Sequence, residues 1–109
     1  MRIWDLAPRL LCRQHLLGEH RELHAIWSIL TNGKRGYRHH PEVIRWEGAL
    51  RALFARHDQL VAEMTRRGYR HMSPLDGAPA KGARRPRSYV DEPDRQRELL
   101  RSKGCGCRV

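Results

Sequence analysis

Acidic groups, aromatic rings and long apolar runs are all scarce in this chain. Its 109 residues carry 12 Asp and Glu against 22 Lys and Arg, a formal charge of +10. Aromatic residues make up 6% of the sequence, with a single phenylalanine. No apolar stretch approaches the 18 or so residues of a membrane span. Asp5 and the early arginines interrupt any apolar segment of a secretory signal. The expected location is therefore the cytoplasm, with no membrane partner. Cysteine is limited to Cys12, Cys105 and Cys107, an odd set that does not imply a disulfide framework. The last two form a C-x-C, which alone lacks the second ligand pair of a structural zinc site. No metal or other cofactor is expected.

The excess of positive charge says little about fold but favours a polyanionic partner, nucleic acid before an anionic membrane surface. Neither long helical pattern couples a basic face to exposed aromatics, as interfacial helices do. At this length one domain is expected, with a modest core.

What is present is amphipathic helix. At 100° per residue, Cys12, Leu16, Leu23, Ile26, Trp27 and Leu30 share an arc of about 100°. Gln14, His15, Gly18, Arg21, Glu22 and Ala25 fill a second arc of about 120° on the polar side. By itself such a face describes a solvated helix side. Gly18 adds something, because a glycine inside a helix costs roughly 1 kcal/mol relative to Ala and admits close approach to the backbone. A helix over 9–30 is expected, with Pro8 in its first turn and Asn32-Gly33 as its stop. Residues 31–41, TNGKRGYRHHP, form a basic loop, either a nucleic-acid contact or a solvated connector; the count of basic groups favours the first.

A second helix is expected over 42–67, closed by Gly68. Trp46, Leu50, Leu53, Phe54, His57, Leu60, Val61 and Met64 share an arc of about 120°, which makes His57 a satisfied core or boundary histidine. Residues 72–88 are rich in Pro, Gly and Arg, and read as a mobile extended loop able to touch DNA. Asp91, Pro93 and Asp94 precede a short third helix over 92–103, and 104–109 read as a frayed tail. The fold class is all-α, a single domain of about three helices with long basic connections.

The motifs QHL–GE–REL over 14–23, Met1-Arg2-Ile3 before them and Asn32-Gly33-Lys34-Arg35 after them occur in one order. Leu53-Phe54, Arg56, Leu60, Glu63 and Arg67-Gly68-Tyr69 follow. Together they resemble the pyrimidine-dimer DNA glycosylases of the phage and bacterial ultraviolet-repair type (the endonuclease V type), over most of residues 1–75. The resemblance implies a helical fold and a DNA glycosylase with abasic-site lyase activity. Its partner would be double-stranded DNA containing lesions, met by a monomer that associates with the nucleoid.

In that family an N-terminal amine attacks the sugar C1′ of a flipped nucleotide to give an imine. An α-amino group has pKa about 7.7–8.0 against about 10.4 for lysine, so far more of it is neutral near pH 7. The family position falls on Met1, and the bulk of Arg2 should hinder removal of that methionine. The family's catalytic acid corresponds to Glu22, which would orient the amine, stabilise the developing cation and relay protons. Arg2, Gln14, His15, Arg21, Lys34 and Arg35 are the implied DNA-binding residues. A second family arginine falls at Ala25, with Arg13 and His24 nearby, and Glu19 is expected to be solvated. The aromatic-rich tail of the phage form has no counterpart here. Two alternatives stand beside this reading: a lyase or glycosylase for another damaged base, and a small basic protein that binds DNA without catalysis.

Overall fold

All 109 residues are described by a computed structural model. A 3-10 turn, Pro8–Leu10, precedes four helices: α1 (Arg13–Asn32), α2 (Pro41–Ile44), α3 (Leu50–Arg66) and α4 (Pro93–Ser102). No strand forms, and the all-α expectation holds. The single bridge pairs Ala49 with Gly82.

The helix expected over 9–30 is thus two elements. Leu11 and Cys12 adopt extended backbone between the 3-10 turn and α1, so the chain reaches the helix at an angle. At its far end Gly33 takes φ 62°, and its N–H and that of Lys34 both return to the Ile29 carbonyl. The helix expected over 42–67 is also divided. Gly48, at φ 72°, breaks it into the single turn α2 and the long α3. The far end of α3 closes as its sequence predicts: Gly68 donates to Thr65 O and Tyr69 to Met64 O, both at 2.9 Å.

The break at Gly48 exposes backbone groups at the start of α3, and the Pro/Gly-rich segment satisfies them. Arg51 N–H donates to Lys81 O at 2.9 Å, and Ala83 N–H to Gly48 O at 2.8 Å. Residue 82 must be glycine, since a Cβ there would lie 2.2 Å from Gly48 O. Arg87 N–H then reaches Arg45 O at 2.9 Å. The expected mobile arm over 72–88 is therefore docked along the α2–α3 joint. The tail over 104–109, expected to fray, is docked too: Arg108 N–H donates to Leu10 O at 2.7 Å, and Cys107 and Val109 pack against the core.

That core joins α1 (Leu16, Leu23, Ile26, Trp27) to α3 (Leu53, Leu60, Met64), with Val43, Trp46 and Leu100 from the neighbouring elements. Ile3, Trp4 and Leu6 are buried in it as well, although residues 1–6 form no regular element. Their backbone groups therefore need side-chain partners. Glu19 provides one: it is 2% exposed and its Oε1 accepts the Trp4 N–H at 3.0 Å. Arg56 holds both Glu19 oxygens, at 2.6 and 3.0 Å, and donates to Leu6 O at 2.9 Å. The expectation that Glu19 is solvated is wrong, because its position at 340° on the helical wheel lies inside the apolar arc. Burial pushes its carboxyl up from the ordinary range, while Arg56 and the Trp4 amide pull it down.

Arg45 grips the same segment from the other side. It is 2% exposed, pairs with Glu42 at 2.6 Å and with both Asp5 oxygens, and donates to Ile3 O at 3.1 Å and Ser88 O at 3.2 Å. Gln96 of α4 completes the set, accepting from Asp5 N–H at 2.8 Å and donating to the Asp5 carboxylate at 3.0 Å.

Breaking one partner of a buried ion pair leaves an uncompensated charge, at roughly 3–5 kcal/mol. Glu19→Ala should therefore cost about that much in urea unfolding, a large share of the 5–15 kcal/mol typical of a domain. A loss below about 1 kcal/mol would show that the pair contributes no more than a surface one. At the end of α3, hydrogen bonds from Arg66 and Arg67 hold the Glu63 carboxyl down at about 2, from 4.5. A carboxyl with a depressed folded-state pKa stabilises the fold above its unfolded pKa and stops doing so as it protonates. The stability gap between wild type and Glu63→Gln should thus be full above about pH 5 and close as pH falls towards 2. A gap independent of pH would count against this ion pair.

Candidate functional site

The polar face of α1 separates two adjoining clefts. One, of about 670 Å³, is lined by Met1, Gln14, Gly18, Arg21 and Glu22 among others. The second, of about 700 Å³, is lined by Met1, Glu22, Ala25, Lys34, Tyr37 and His40 among others. Met1 and Glu22 belong to both, so the two residues singled out as catalytic stand on the ridge between the hollows. Nothing lies within 4 Å of a Cβ added at Gly18, which leaves the helix backbone open to a ligand there.

Glu22 differs from the other glutamates on the buried elements. Glu19, Glu42 and Glu63 are each locked to an arginine, whereas Glu22 is half-buried and has no side-chain partner. Its carboxylate is free to act on whatever enters. The clamp on residues 3–6 fixes where the lead enters the site, and Met1, 37% exposed, lines both clefts together with Glu22.

The residues implied in DNA binding divide into groups. Gln14 and Arg21 are exposed on the first cleft, and Lys34 lines the second. Lys34 Nζ is steadied by Ser28 Oγ at 2.8 Å. Arg35 is exposed in the basic loop, outside both clefts. Arg2 lines the first cleft but is paired with Asp91 at 2.8 Å and stacked over Trp4. His15 also lines it, yet its Nδ1 is turned to Cys12 Sγ at 3.1 Å and Cys107 Sγ at 3.6 Å. Burial and the nearby Lys103 lower its pKa, which favours the neutral ring. Arg13 projects into the first cleft with its guanidinium over Tyr69. His24 lines the second cleft, and its Nε2 faces His20.

Two cleft residues escaped the sequence reading. Tyr37 is 73% exposed and holds a left-handed backbone, φ 57°, a conformation uncommon for a residue with a side chain. It presents an aromatic face on the second cleft. His40 lines the same cleft and caps α2 by accepting the Glu42 N–H at 3.1 Å. The available signal was an aromatic and two histidines inside a basic loop, which a count of charges alone passes over.

Two further groups have the chemistry of metal ligands. Cys12, His15, Cys105 and Cys107 place their donor atoms within 4.8 Å of one another, as do His20, His24, His57 and His71. His57, expected to be a satisfied core histidine, is 3% exposed with neither ring nitrogen hydrogen-bonded.

Comparison with known proteins adds a family to this geometry. A family model described as pyrimidine dimer DNA glycosylase matches residues 1–76, which holds α1 to α3 and every residue of the ridge. No curated protein and no solved structure gave a significant match. With well over half of its length matched, the chain belongs to the pyrimidine dimer DNA glycosylase family.

Proposed function

We propose that the protein removes ultraviolet-type pyrimidine dimers from double-stranded DNA and then nicks the strand, with the α-amino group of Met1 as nucleophile and Glu22 as the acid–base group. The placing of Met1 and Glu22 together on the ridge between the two clefts carries the reading. Flipping a nucleotide out of the duplex exposes C1′, and clefts on both sides of the ridge leave room for displaced bases. The neutral amine attacks C1′, and the base departs with the electrons of the glycosidic bond. Sugar-ring opening gives an imine. Loss of a C2′ proton then expels the 3′ phosphate by β-elimination. Glu22, unpaired and half-buried, suits the transfer of these protons and stabilises the cationic imine.

Gln14, Arg21, Lys34 and Arg35 would hold the backbone phosphates, with Arg13 adding a further cation on the first cleft. Arg2 steadies the amine through Asp91 more than it grips DNA, and Tyr37 offers a surface on which an unstacked base can rest. Cytoplasmic action as a monomer completes the proposal.

The test is to incubate untagged protein with dimer-containing or abasic duplex and borohydride, then to locate the adduct by peptide mass. The adduct is expected on the peptide beginning at Met1. Retained activity with residues added before Met1 would exclude the mechanism, since each added residue displaces the amine by more than 3 Å. Glu22→Gln should keep the fold within about 0.5 kcal/mol and lower turnover by roughly 10²–10⁴-fold. A panel of other lesions in the same assay separates dimer preference from a broader range.

Binding to undamaged duplex reports the charge contribution separately. If roughly six phosphates are neutralised, log K should fall against log salt with a slope of about −5. Replacing Arg21 and Lys34 with Gln should flatten that slope by about 1 for each residue. A salt-independent affinity would remove DNA as the partner.

A further inference from the structure

The first of the two ligand groups draws together the two ends of the chain. Cys12 is the N-cap of α1 and His15 lies one turn on. Cys105 and Cys107 come from the tail, where Gly104 and Gly106 at φ 60° and 93° fold the chain back. Cys12 Sγ lies 3.1 Å from His15 Nδ1, Cys107 Sγ 3.6 Å from the same nitrogen, and Cys105 Sγ 3.5 Å from Cys107 Sγ. A tetrahedral zinc ion, with Zn–S about 2.3 Å and Zn–N about 2.0–2.1 Å, spaces its ligand atoms by roughly 3.3–3.8 Å. Three of the six separations are already near those values, and all six lie within 4.8 Å.

The surroundings suit an anionic centre. Three thiolates and one Zn²⁺ sum to a single negative charge. The Cys12 N–H donates to Cys107 Sγ at 3.1 Å, and this amide opens α1, where the helix dipole favours thiolate. Arg9, Arg66, Arg67 and Arg108 line a hollow with Cys12 and Gly106. We propose that Cys12, His15, Cys105 and Cys107 form a closed, structural zinc site that fastens the tail to the start of α1. His15, implied as a DNA contact, is on this proposal a ligand that shapes one wall of the first cleft.

A different observation carries a second site. His57 of α3 is buried with both ring nitrogens unpartnered, and such orphans carry the full cost of lost hydration. The rings around it belong to His20 and His24, one turn apart on α1, and to His71 just beyond α3. His20 Nε2 lies 3.1 Å from His71 Nε2 and 3.2 Å from His24 Nε2. A neutral imidazole has one N–H, so this nitrogen can satisfy only part of what faces it. One divalent ion, zinc by the preference of imidazole for it, accepts a lone pair from each ring at spacings close to these. Asp58 Oδ1, 3.7 Å from His57 Nδ1, is placed to orient that ring once its other nitrogen ligates. Both sites use four protein ligands and leave no open position, which marks them as structural.

The experiment uses the untagged full chain, saturated with zinc, dialysed and assayed for metal by plasma mass spectrometry. Two ions per chain are expected. Cys105→Ser with Cys107→Ser should retain one, and His57→Gln with His71→Gln should retain one. Wild type with none overturns both sites; loss of no metal from one double variant overturns the site that it targets. Because a variant can fail to fold, the wild type is also read directly. Cobalt added to the metal-free chain should give tetrahedral d–d absorption with thiolate-to-cobalt charge transfer, and zinc should shield all three thiols from maleimide. Absence of charge transfer, freely reactive thiols, or a Cys105–Cys107 disulfide in the protein as purified would overturn the cysteine site. A single cobalt equivalent, all of it in thiolate bands, would overturn the histidine site.

Discussion

The first six residues are irregular, yet Ile3, Trp4 and Leu6 among them are buried, and everything near the ridge depends on how their peptide groups are satisfied. An irregular segment cannot supply its own hydrogen bonds, and a guanidinium cannot enter a core without a carboxylate. Each need meets the other here. Arg56 with Glu19 takes the Trp4 amide and the Leu6 carbonyl, and Arg45 with Asp5 and Glu42 takes the Ile3 carbonyl. The backbone is therefore held on both sides by charged groups that cannot leave without stranding their partners. Such pairs add less to net stability than their number suggests, since desolvation offsets much of their attraction. What they fix is position. An unclamped lead would sample many places; this one is held, and Met1 at its start lines both clefts.

The same logic separates two glutamates on one helix. Glu19 and Glu22 are three residues, or 60° of wheel, apart. That rotation carries one into the core beneath Trp4 and leaves the other on the ridge. Glu19 has both of its oxygens committed, accepting three hydrogen bonds from Arg56 and Trp4. Glu22 has none committed, and its neighbour Gly18 leaves the helix surface bare on the first cleft. A carboxylate tied to a guanidinium is a poor proton carrier; a free one in a half-buried cleft can exchange protons with a bound sugar.

Much of this was legible from periodicity. The apolar arcs of α1 and α3 name the core almost residue by residue, and Gly33 and Gly68 mark the helix ends. Less legible was anything set by contacts distant in sequence. Glu19 lay within the apolar arc at 340°, but a charge there reads as solvated until Arg56 is known to face it. The helix expected over 42–67 runs straight through Gly48, and only the docking of Gly82 against its carbonyl explains the break. The basic Pro/Gly segment has the composition of a free linker, because its partners are backbone groups and leave no trace in side-chain pattern. Cys105-x-Cys107 was an incomplete ligand set for the same reason: its missing half lies over ninety positions away at Cys12 and His15. Four histidines spread over 20–71 show no motif at all until α1 and α3 are packed.

The family match ends at residue 76, and what the remaining third of the chain touches is informative. Lys81 and Ala83 hold the start of α3 and Gly48; Ser88 and Arg87 meet Arg45; Gln96 holds Asp5; Arg108 holds Leu10; and Cys107 meets Cys12. Nearly all of these partners are in the N-terminal lead or the joint that supports it. The C-terminal third is thus a brace on the segment that carries the terminal amine, and little of it lines the clefts. A small helical core of this size has modest stability to spare, so an irregular lead held in place draws on support beyond α1 to α3. The N-terminal lead and the joint behind it are thus held from both directions, by α1 and α3 on one side and by residues 81–108 on the other.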